Sequence, residues 1–428
     1  RAWTATATAF SREASSSRRR RRTSTCACRR CARSVSRSSA PGPAAGAAST
    51  GPLDHSGENK TAKLHHLDGA RGVASFIVLF HHLCLAYVPE IKGGIFVGGI
   101  KNTPLYILIN GDLAVFFFFV LSGFVLSIGF YNNFRRDKLV MSIAKRLPRL
   151  WLPAALSILA GLLVIQMGGI GISERVGTIE GSNWLSSFAN AKIPEGTSFS
   201  LLDALRQSVS VFLVPKDFYY NSNLWTMFFE LWGSMAVFLL LPVIVALRSF
   251  GVGTPVIILV HLAALAVLIL DRHTPMAAFV AGSALCYLYL HGKTDLRLSR
   301  WHLFLLVCIA APGAAVGSGP VSVATLAAAI AFLAILLFYP GFTEILSGPT
   351  GKWLGALSFP LYLTHTVMLL GPGNWMHLNS GSPIAAMAFT TVLSVALPLV
   401  YVDRGWTRRV NSVFNTKRLK RLRTALDP

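Results

Sequence analysis

Residues 105–130 read LYILINGDLAVFFFFVLSGFVLSIGF and contain one charged side chain, Asp112. A helix needs about 17–25 apolar residues to cross the hydrocarbon core of a bilayer, so this stretch predicts a transmembrane helix. Nine other runs are similarly apolar. We therefore predict ten transmembrane helices, near residues 70–88, 105–130, 150–168, 224–247, 254–270, 275–290, 301–317, 321–339, 353–371 and 384–402.

The composition of the 428-residue chain leads to the same fold class. Hydrophobic residues make up 53% of the chain and charged residues only 14%. A soluble domain carries about 25% charged residues because it must cover its surface with groups that water solvates. This composition excludes an ordinary soluble domain and predicts an all-α, multi-pass integral membrane protein in contact with the lipid bilayer.

Loop charge predicts the orientation of the bundle. Basic residues cluster in the even-numbered connections, whereas the odd-numbered connections hold few of them. Because cytoplasmic loops are enriched in Lys and Arg, both termini are predicted to lie in the cytosol. The basic residues of the even connections are Arg135, Arg136, Lys138, Lys145, Arg146, Arg149, Arg248, Lys293, Arg297, Arg300 and Lys352.

The third connection, near residues 169–223, is long and mixes acidic with basic residues. It also carries Trp184, Phe188, Phe199 and Phe212. Aromatic side chains among polar ones predict short amphipathic helices that lie on the bundle. This connection is expected to form a cap on the side away from the cytosol.

Three regions are expected along the chain. Residues 1–62 are rich in Arg and Ser and predict a disordered tail; a targeting segment and an artefact of the gene model both stay open. Residues 63–410 form the transmembrane domain, and residues 411–428 a basic cytosolic tail.

The net charge of +22 is attributed to basic residues that set the membrane topology and contact anionic lipid, and not to nucleic-acid binding. The Cys28–Cys31 pair lacks a second pair for a metal site, so no metal is predicted.

The first predicted span carries the most informative ionisable pair, Arg71 and His82. Ionisable groups inside a membrane are costly and usually functional. Eleven residues of α-helix end about 20° past three full turns, so both side chains face the same way, about 16 Å apart along the axis. A neutral imidazole is suited to proton abstraction, which makes His82 a candidate general base. The neighbouring His81 is interpreted as a packing residue bonded to a carbonyl group.

Glu230, His365 and Asp68 each allow two interpretations. Glu230 either orients His82 or neutralises Arg71 or Arg149. His365 either lines the same cavity as His82 or is a satisfied core histidine, whereas His261 is interpreted as structural. Asp68 either caps the first helix or pairs with Arg71.

Five motifs in order resemble those of the membrane-bound acyltransferase type 3 family, which O-acylates sugars, polyols, lipids and secondary metabolites. The resemblance covers roughly residues 67–403. The chain departs from the family pattern at Phe116, where bacterial members often carry Asp, and at Phe359, where Tyr is common. The motifs are LDGARG at 67–72 followed by His82, VFFFFVLSGF at 115–124, KRLPRLWLP at 145–153, Trp225 to Glu230, and GALSFPLYLTH at 355–365.

The resemblance implies an O-acyltransferase that moves an acyl group, by family habit acetyl, from acyl-CoA to a hydroxyl of a carbohydrate, lipid or secondary metabolite. It implies that His82 is the catalytic base and that Arg71 and Arg149 face the acyl donor. No cofactor is expected beyond acyl-CoA as co-substrate. The predicted site comprises His82, Glu230 and Arg71 as catalytic residues, with Arg149, Arg146, Asp68, Trp225, Tyr362 and His365 in donor or substrate binding.

A competing function is a proton-coupled transporter or exporter. In that class Arg71, His82 and Glu230 would form a proton relay. The sequence shows no inverted repeat of the transporter kind, and it lacks the Gly-x-Ser-x-Gly and His-Glu-x-x-His motifs of hydrolases. Another group of multi-span acyltransferases with an intramembrane histidine would share the reaction but not the order of the motifs.

Overall fold

The computed structural model describes residues 64–92, 99–291, 299–315, 322–339, 343–396 and 399–414. These ranges form helices joined by short connections, and they contain no β-strand. The interpretations of residues 1–62, of the Cys28–Cys31 pair and of most of the basic tail fall outside the described residues.

The described α-helices follow one another along the chain with few long gaps. A π-helical turn, Leu369–Gly373, joins two of them. The α-helices are α1 His65–Tyr87, α2 Gly111–Asn132, α3 Arg136–Gln166, α4 Gly169–Ile179, α5 Asn183–Ser186, α6 Leu201–Ser210, α7 Trp225–Ser249, α8 Thr254–Leu270, α9 Thr274–His291, α10 Arg300–Ala315, α11 Val323–Phe338, α12 Thr343–Ser347, α13 Pro349–Met368, α14 Asn374–Ser380, α15 Pro383–Ala396 and α16 Leu399–Val413.

Five helical segments among the described residues are long and apolar enough to cross a membrane. They are α1, α2, α3, the segment Ser222–Ser249 that contains α7, and the segment Pro349–Ser380 that runs from α13 through α14. The other predicted spans coincide with α8, α9, α10, α11 and α15, which are shorter. The chain is thus an all-α, multi-pass integral membrane protein, as predicted, while the count of ten spans and the cytosolic termini stay predictions.

Helix α3 begins well before its predicted span. It starts at Arg136, so Arg146 and Arg149 lie on a helix and not in a loop. The apolar-run criterion ended the span at the charged residues, although Lys and Arg are good helix formers. Pro148 is tolerated inside the helix, and its carbonyl accepts a 2.7 Å hydrogen bond from Nε1 of Trp406 in α16.

Helix α1 also begins earlier than predicted. It starts at His65, and its N-cap residue Leu64 makes no capping hydrogen bond through its side chain. Asp68 therefore lies inside the first turn, where a carboxylate interacts favourably with the helix dipole. The interpretation of Asp68 as the helix cap was wrong.

The connection between α3 and α7 contains the predicted short helices. Helices α4, α5 and α6 lie within it, and α6 is amphipathic. Trp184, Phe188 and Phe212 are buried, which anchors this cap to the rest of the core. The aromatic residues that stood out in a polar stretch thus serve to attach it.

Close packing between α2 and α9 depends on glycines from both helices. A Cβ atom on Gly123 of α2 would collide with the carbonyl oxygen of Phe279, and one on Gly282 of α9 would collide with that of Val120. Small residues allow membrane helices to approach until their backbones touch. This contact fixes α2, which lines the site described below, against α9.

We expect Gly123→Ala to lower the free energy of unfolding by about 1–3 kcal/mol, the usual cost of overpacking. Gly129→Ala is the matched control, because nothing lies within 4 Å of a Cβ there and the change favours the helix. Unfolding of the two purified variants in mixed detergent micelles measures the difference. Equal stabilities would contradict the packing role of Gly123.

Candidate active site

Two cavities and a narrow passage contain most of the predicted site residues. The first, here called the histidine cavity, has a volume of about 800 Å³ and is lined by His81, His82, Lys92, Asp112, Trp184 and Trp225 among others. The second, the arginine cavity, has about 830 Å³ and is lined by Asp68, Arg71, Arg146, Arg149, Glu230, Lys352, Asp403, Arg404 and Arg408 among others.

The passage, here called the junction, has a volume of only about 40 Å³. It shares Arg71 and Glu230 with the arginine cavity. Phe119 in its wall contacts Trp225 and Phe229, which line the histidine cavity. The junction thus lies between the two cavities, and its walls include Phe118, Phe119, Ser122, Thr226, Phe359 and Tyr362.

Helix α1 carries one predicted residue to each cavity. Arg71, near the start of the helix, lines the arginine cavity, and His82, near its end, lines the histidine cavity. Arg71 and His82 lie eleven residues apart on one helix, and this separation brings one side chain to each cavity. Asp68, in the first turn, also lines the arginine cavity.

The arginine cavity is strongly basic. Arg146 and Arg149 reach it from α3 and Lys352 from α13, while the amphipathic helix α16 adds Arg404 and Arg408. Sequence reasoning missed the α16 residues, although two arginines four residues apart would lie on one helix face. Six basic groups against three acidic ones make the cavity suited to an anionic ligand.

Glu230 is held by Arg146. The Nη2 atom of Arg146 donates to Oε1 of Glu230 at 2.5 Å, and the two side chains are 10% and 15% exposed. Ser122 donates a second hydrogen bond to the same oxygen at 3.3 Å. The structure thus gives Glu230 an arginine partner, as one interpretation expected, but that partner is Arg146 and not Arg71 or Arg149. The described hydrogen bonds do not join Glu230 to His82.

Asp403 of α16 lies among the basic groups of the arginine cavity. Burial raises the pKa of Asp403, and the nearby Arg149, Arg71 and Arg404 only partly oppose this shift. Sequence reasoning did not single out Asp403.

His82 is bonded to His365. Nδ1 of His82 lies 2.9 Å from Nε2 of His365, and Nδ1 of His365 lies 2.9 Å from the carbonyl oxygen of Leu361. Trp184 of the cap stacks on the His82 ring at 5.2 Å and 28°. His365 thus contacts the candidate base directly from α13, while Trp184, which sequence reasoning assigned only to the cap, covers its face.

The hydrogen bonds around His365 determine the tautomers of both rings. A carbonyl oxygen only accepts, so Nδ1 of His365 carries its proton and Nε2 accepts. The amide of Asn223, 3.1 Å away, also donates to this Nε2. Nδ1 of His82 must therefore donate to it, which leaves Nε2 of His82 unprotonated.

Asn223 and Tyr362 hold the start of α7 against α13. Asn223 donates to the carbonyl of Tyr362 at 3.0 Å, and the Tyr362 hydroxyl donates to the carbonyl of Asn223 at 3.0 Å. Asn221 adds a 2.7 Å bond to the carbonyl of Leu363. Sequence reasoning missed both asparagines, although two amides directly before an apolar span are a polar signal.

Two other histidines, and one of the positions at which the chain departs from the family pattern, can be assigned surroundings. His81 contacts the Ile109 carbonyl at 2.7 Å, as its interpretation as a packing residue expected. His261 contacts the hydroxyl of Tyr131 and the Ile257 carbonyl, away from both cavities. Phe116 is fully buried in the core, whereas Asp112 lines the histidine cavity.

A helical bundle with apolar spans and this charged interior is a multi-pass integral membrane protein. Residues 64–403 match the family model of the acyltransferase 3 family, which is described as an acyltransferase domain. The chain belongs to this family and is an acyltransferase for groups other than aminoacyl groups, as the motifs indicated. No curated protein and no solved structure matched the chain.

We expect Glu230→Ala to lower the free energy of unfolding by about 3–5 kcal/mol, because it leaves the Arg146 guanidinium buried without its partner. Asp137→Ala breaks the pair with Arg135, whose side chains are 49% and 37% exposed, and serves as the control with a loss of at most about 1 kcal/mol. Unfolding in mixed micelles compares the two variants. Similar losses of unfolding free energy in the two variants would show that burial does not determine how much the Arg146–Glu230 pair stabilises the protein.

Proposed function

We propose that the protein transfers an acyl group, with acetyl as the expected group, from acyl-CoA to a hydroxyl of a carbohydrate, lipid or secondary metabolite, with His82 as general base. The observation that carries the proposal is the chain of hydrogen bonds from Leu361 through His365 to His82. It supports an unprotonated Nε2 on a histidine that lines a large cavity. An imidazole held in one tautomer by a second group is the usual arrangement of a general base.

The arginine cavity supports binding of the donor. CoA carries several phosphate groups, and arginine binds phosphate through two parallel hydrogen bonds. Arg149, Arg404 and Arg408 are proposed to bind these phosphates, and the pantetheine arm would extend toward the junction. Arg71 borders both spaces and is proposed to hold the donor where the two meet.

The reaction needs only groups that the site and the donor supply. Nε2 of His82 removes the proton of the acceptor hydroxyl, and the oxygen attacks the thioester carbonyl of the donor. The tetrahedral intermediate then collapses with cleavage of the carbon–sulfur bond, and the imidazolium of His82 returns the proton to the departing CoA thiolate. The products are the acyl ester and CoA, and His82 is again neutral.

In this proposal the other site residues hold the reacting groups in position. His365 holds the tautomer of His82, and Asn223 holds His365. Glu230 keeps Arg146 at the wall between the junction and the arginine cavity. Tyr362 forms part of the junction wall, and Trp225 part of the histidine cavity.

We expect His82→Ala to lower acyl transfer by about 10²–10⁴-fold, the usual contribution of a general base. Single-turnover transfer from radiolabelled acetyl-CoA to pooled hydroxyl acceptors measures the loss, and equilibrium dialysis of the same donor shows whether the variant still binds it. His302→Ala, at an exposed position of α10, is the control that keeps activity. Full activity of His82→Ala would exclude the base assignment. Failure of the wild-type protein to transfer from any CoA donor would favour the transporter alternative.

We expect Arg408→Ala to raise KM for acyl-CoA about two- to fivefold at low salt, since an exposed charge pair contributes up to about 1 kcal/mol. The neighbouring Arg409 does not line the arginine cavity, so Arg409→Ala is the matched control. Steady-state kinetics with acetyl-CoA and with CoA analogues that lack the 3′-phosphate measure the change. An identical KM for the two variants would remove α16 from the donor site.

A further inference from the structure

The histidine cavity has its own set of cations, which the proposed reaction does not use. Three of them, Lys192, Lys216 and Arg272, are exposed, and Lys92 is half-buried. They come from four separate segments: the 3₁₀ turn Pro89–Lys92, the chain after α5, the chain before α7, and the turn between α8 and α9. Asp112 is the only acidic residue among the described lining residues.

The acidic groups next to Lys216 and Arg272 in the sequence have other partners. Asp217, next to Lys216, pairs with Arg206 at 3.1 Å and accepts from Ser210. Asp271, next to Arg272, pairs with His273 at 3.3 Å. Across the described part of the chain, no ion pair involves Lys192, Lys216 or Arg272. Their positive charge is therefore available to a ligand in the cavity.

Lys92 brings positive charge closest to the candidate base. Its Nζ atom lies 3.5 Å from Nε2 of His81, the residue before His82. Burial lowers the pKa of Lys92, and the nearby Asp112 only partly opposes this. An ammonium group in this position would gain from a further anionic partner.

The backbone at the rim of the cavity is strained. Ala189, Asn190, Lys216 and Arg272 have φ angles of 60°, 57°, 80° and 60°, and all four line the cavity. Residues with a Cβ rarely adopt positive φ, and such strain concentrates at ligand-binding positions. Of the six residues other than glycine with positive φ in the described ranges, these four belong to this one cavity, and two of them, Lys216 and Arg272, are exposed cations.

We propose that the acceptor of the transferred acyl group is an anion, a hydroxyl compound that also carries a carboxylate or phosphate group. The anionic group binds among Lys92, Lys216 and Arg272, and the hydroxyl faces His82. The identity of this ligand as acceptor rests on the proposed function. An acidic sugar and an anionic lipid headgroup with a free hydroxyl present the same chemistry to the cavity.

Binding without acyl-CoA tests the charge selection separately from the reaction. The soluble probes are 4-methylumbelliferyl glucuronide and the matching glucoside, which differ by a carboxylate in place of a hydroxymethyl group. With the purified full chain at low salt, we expect the glucuronide to bind about tenfold more tightly, as measured by fluorescence anisotropy. The ratio of the two dissociation constants should fall toward one in Lys216→Gln/Arg272→Gln. The ratio should keep its wild-type value in Arg175→Gln, which changes an exposed cation of α4 outside the cavity.

A second pair of probes identifies the source of the anion. Phosphatidylinositol and an uncharged glucosyl diacylglycerol, each in nanodiscs, form the lipid pair. Preference for the anion in the soluble pair alone supports an acidic sugar, and preference in the lipid pair alone supports an anionic lipid. Equal binding within both pairs, or a preference that the double variant keeps, overturns the proposal.

Transfer of radiolabel from acetyl-CoA to the same four probes separates the two proposals. Faster transfer to the anionic member of a pair supports both. Transfer that is equal or faster to the neutral members leaves the acyltransferase proposal standing and overturns the anionic acceptor. Anion-selective binding without transfer to any probe supports the charge selection of the cavity and counts against the reaction.

Discussion

The site depends on the absence of water in the membrane interior. A buried guanidinium, carboxylate or imidazole there must find its partner in another helix, because the lipid offers none. The Arg146–Glu230 pair joins α3 to α7, and the His82–His365 bond joins α1 to α13. The contacts that satisfy these groups also hold together four helices, all of which line the arginine cavity.

Pairing of this kind distinguishes groups that hold the structure from groups that remain reactive. Glu230 and Arg146 satisfy each other at the boundary of the junction. His82 donates from Nδ1 to His365, which is itself fixed by Leu361. One imidazole therefore orients another, whereas an aspartate takes this place in the catalytic triads of many hydrolases. A neutral orienting group avoids placing another charge in the membrane.

Much of the fold and part of the site could be predicted from the sequence, because each of these features depends on the residue pattern of a single helix. The apolar run around residues 105–130 predicted α2, and the eleven-residue spacing of Arg71 and His82 predicted their common face on α1. The partner of Glu230 could not be predicted, because Arg146 lies 84 residues away and its helix extends beyond the apolar run. Arg408 was missed for a related reason, since an amphipathic helix beside the membrane lacks the apolar length that identifies a span. The contact of His365 with His82 depends on how α13 packs against α1, which no local pattern contains.

The narrow junction also has a consequence for the membrane around the protein. Large polar cavities near both ends of α1 would allow ions to leak if water filled the space between them. The junction has a volume of about 40 Å³, against about 800 and 830 Å³ for the two cavities, and Phe118, Phe119 and Phe359 form part of its wall. Hydrophobic constrictions oppose a continuous column of water by dewetting. The protein can therefore hold polar ligands deep on both sides while the bilayer around it keeps its electrical resistance.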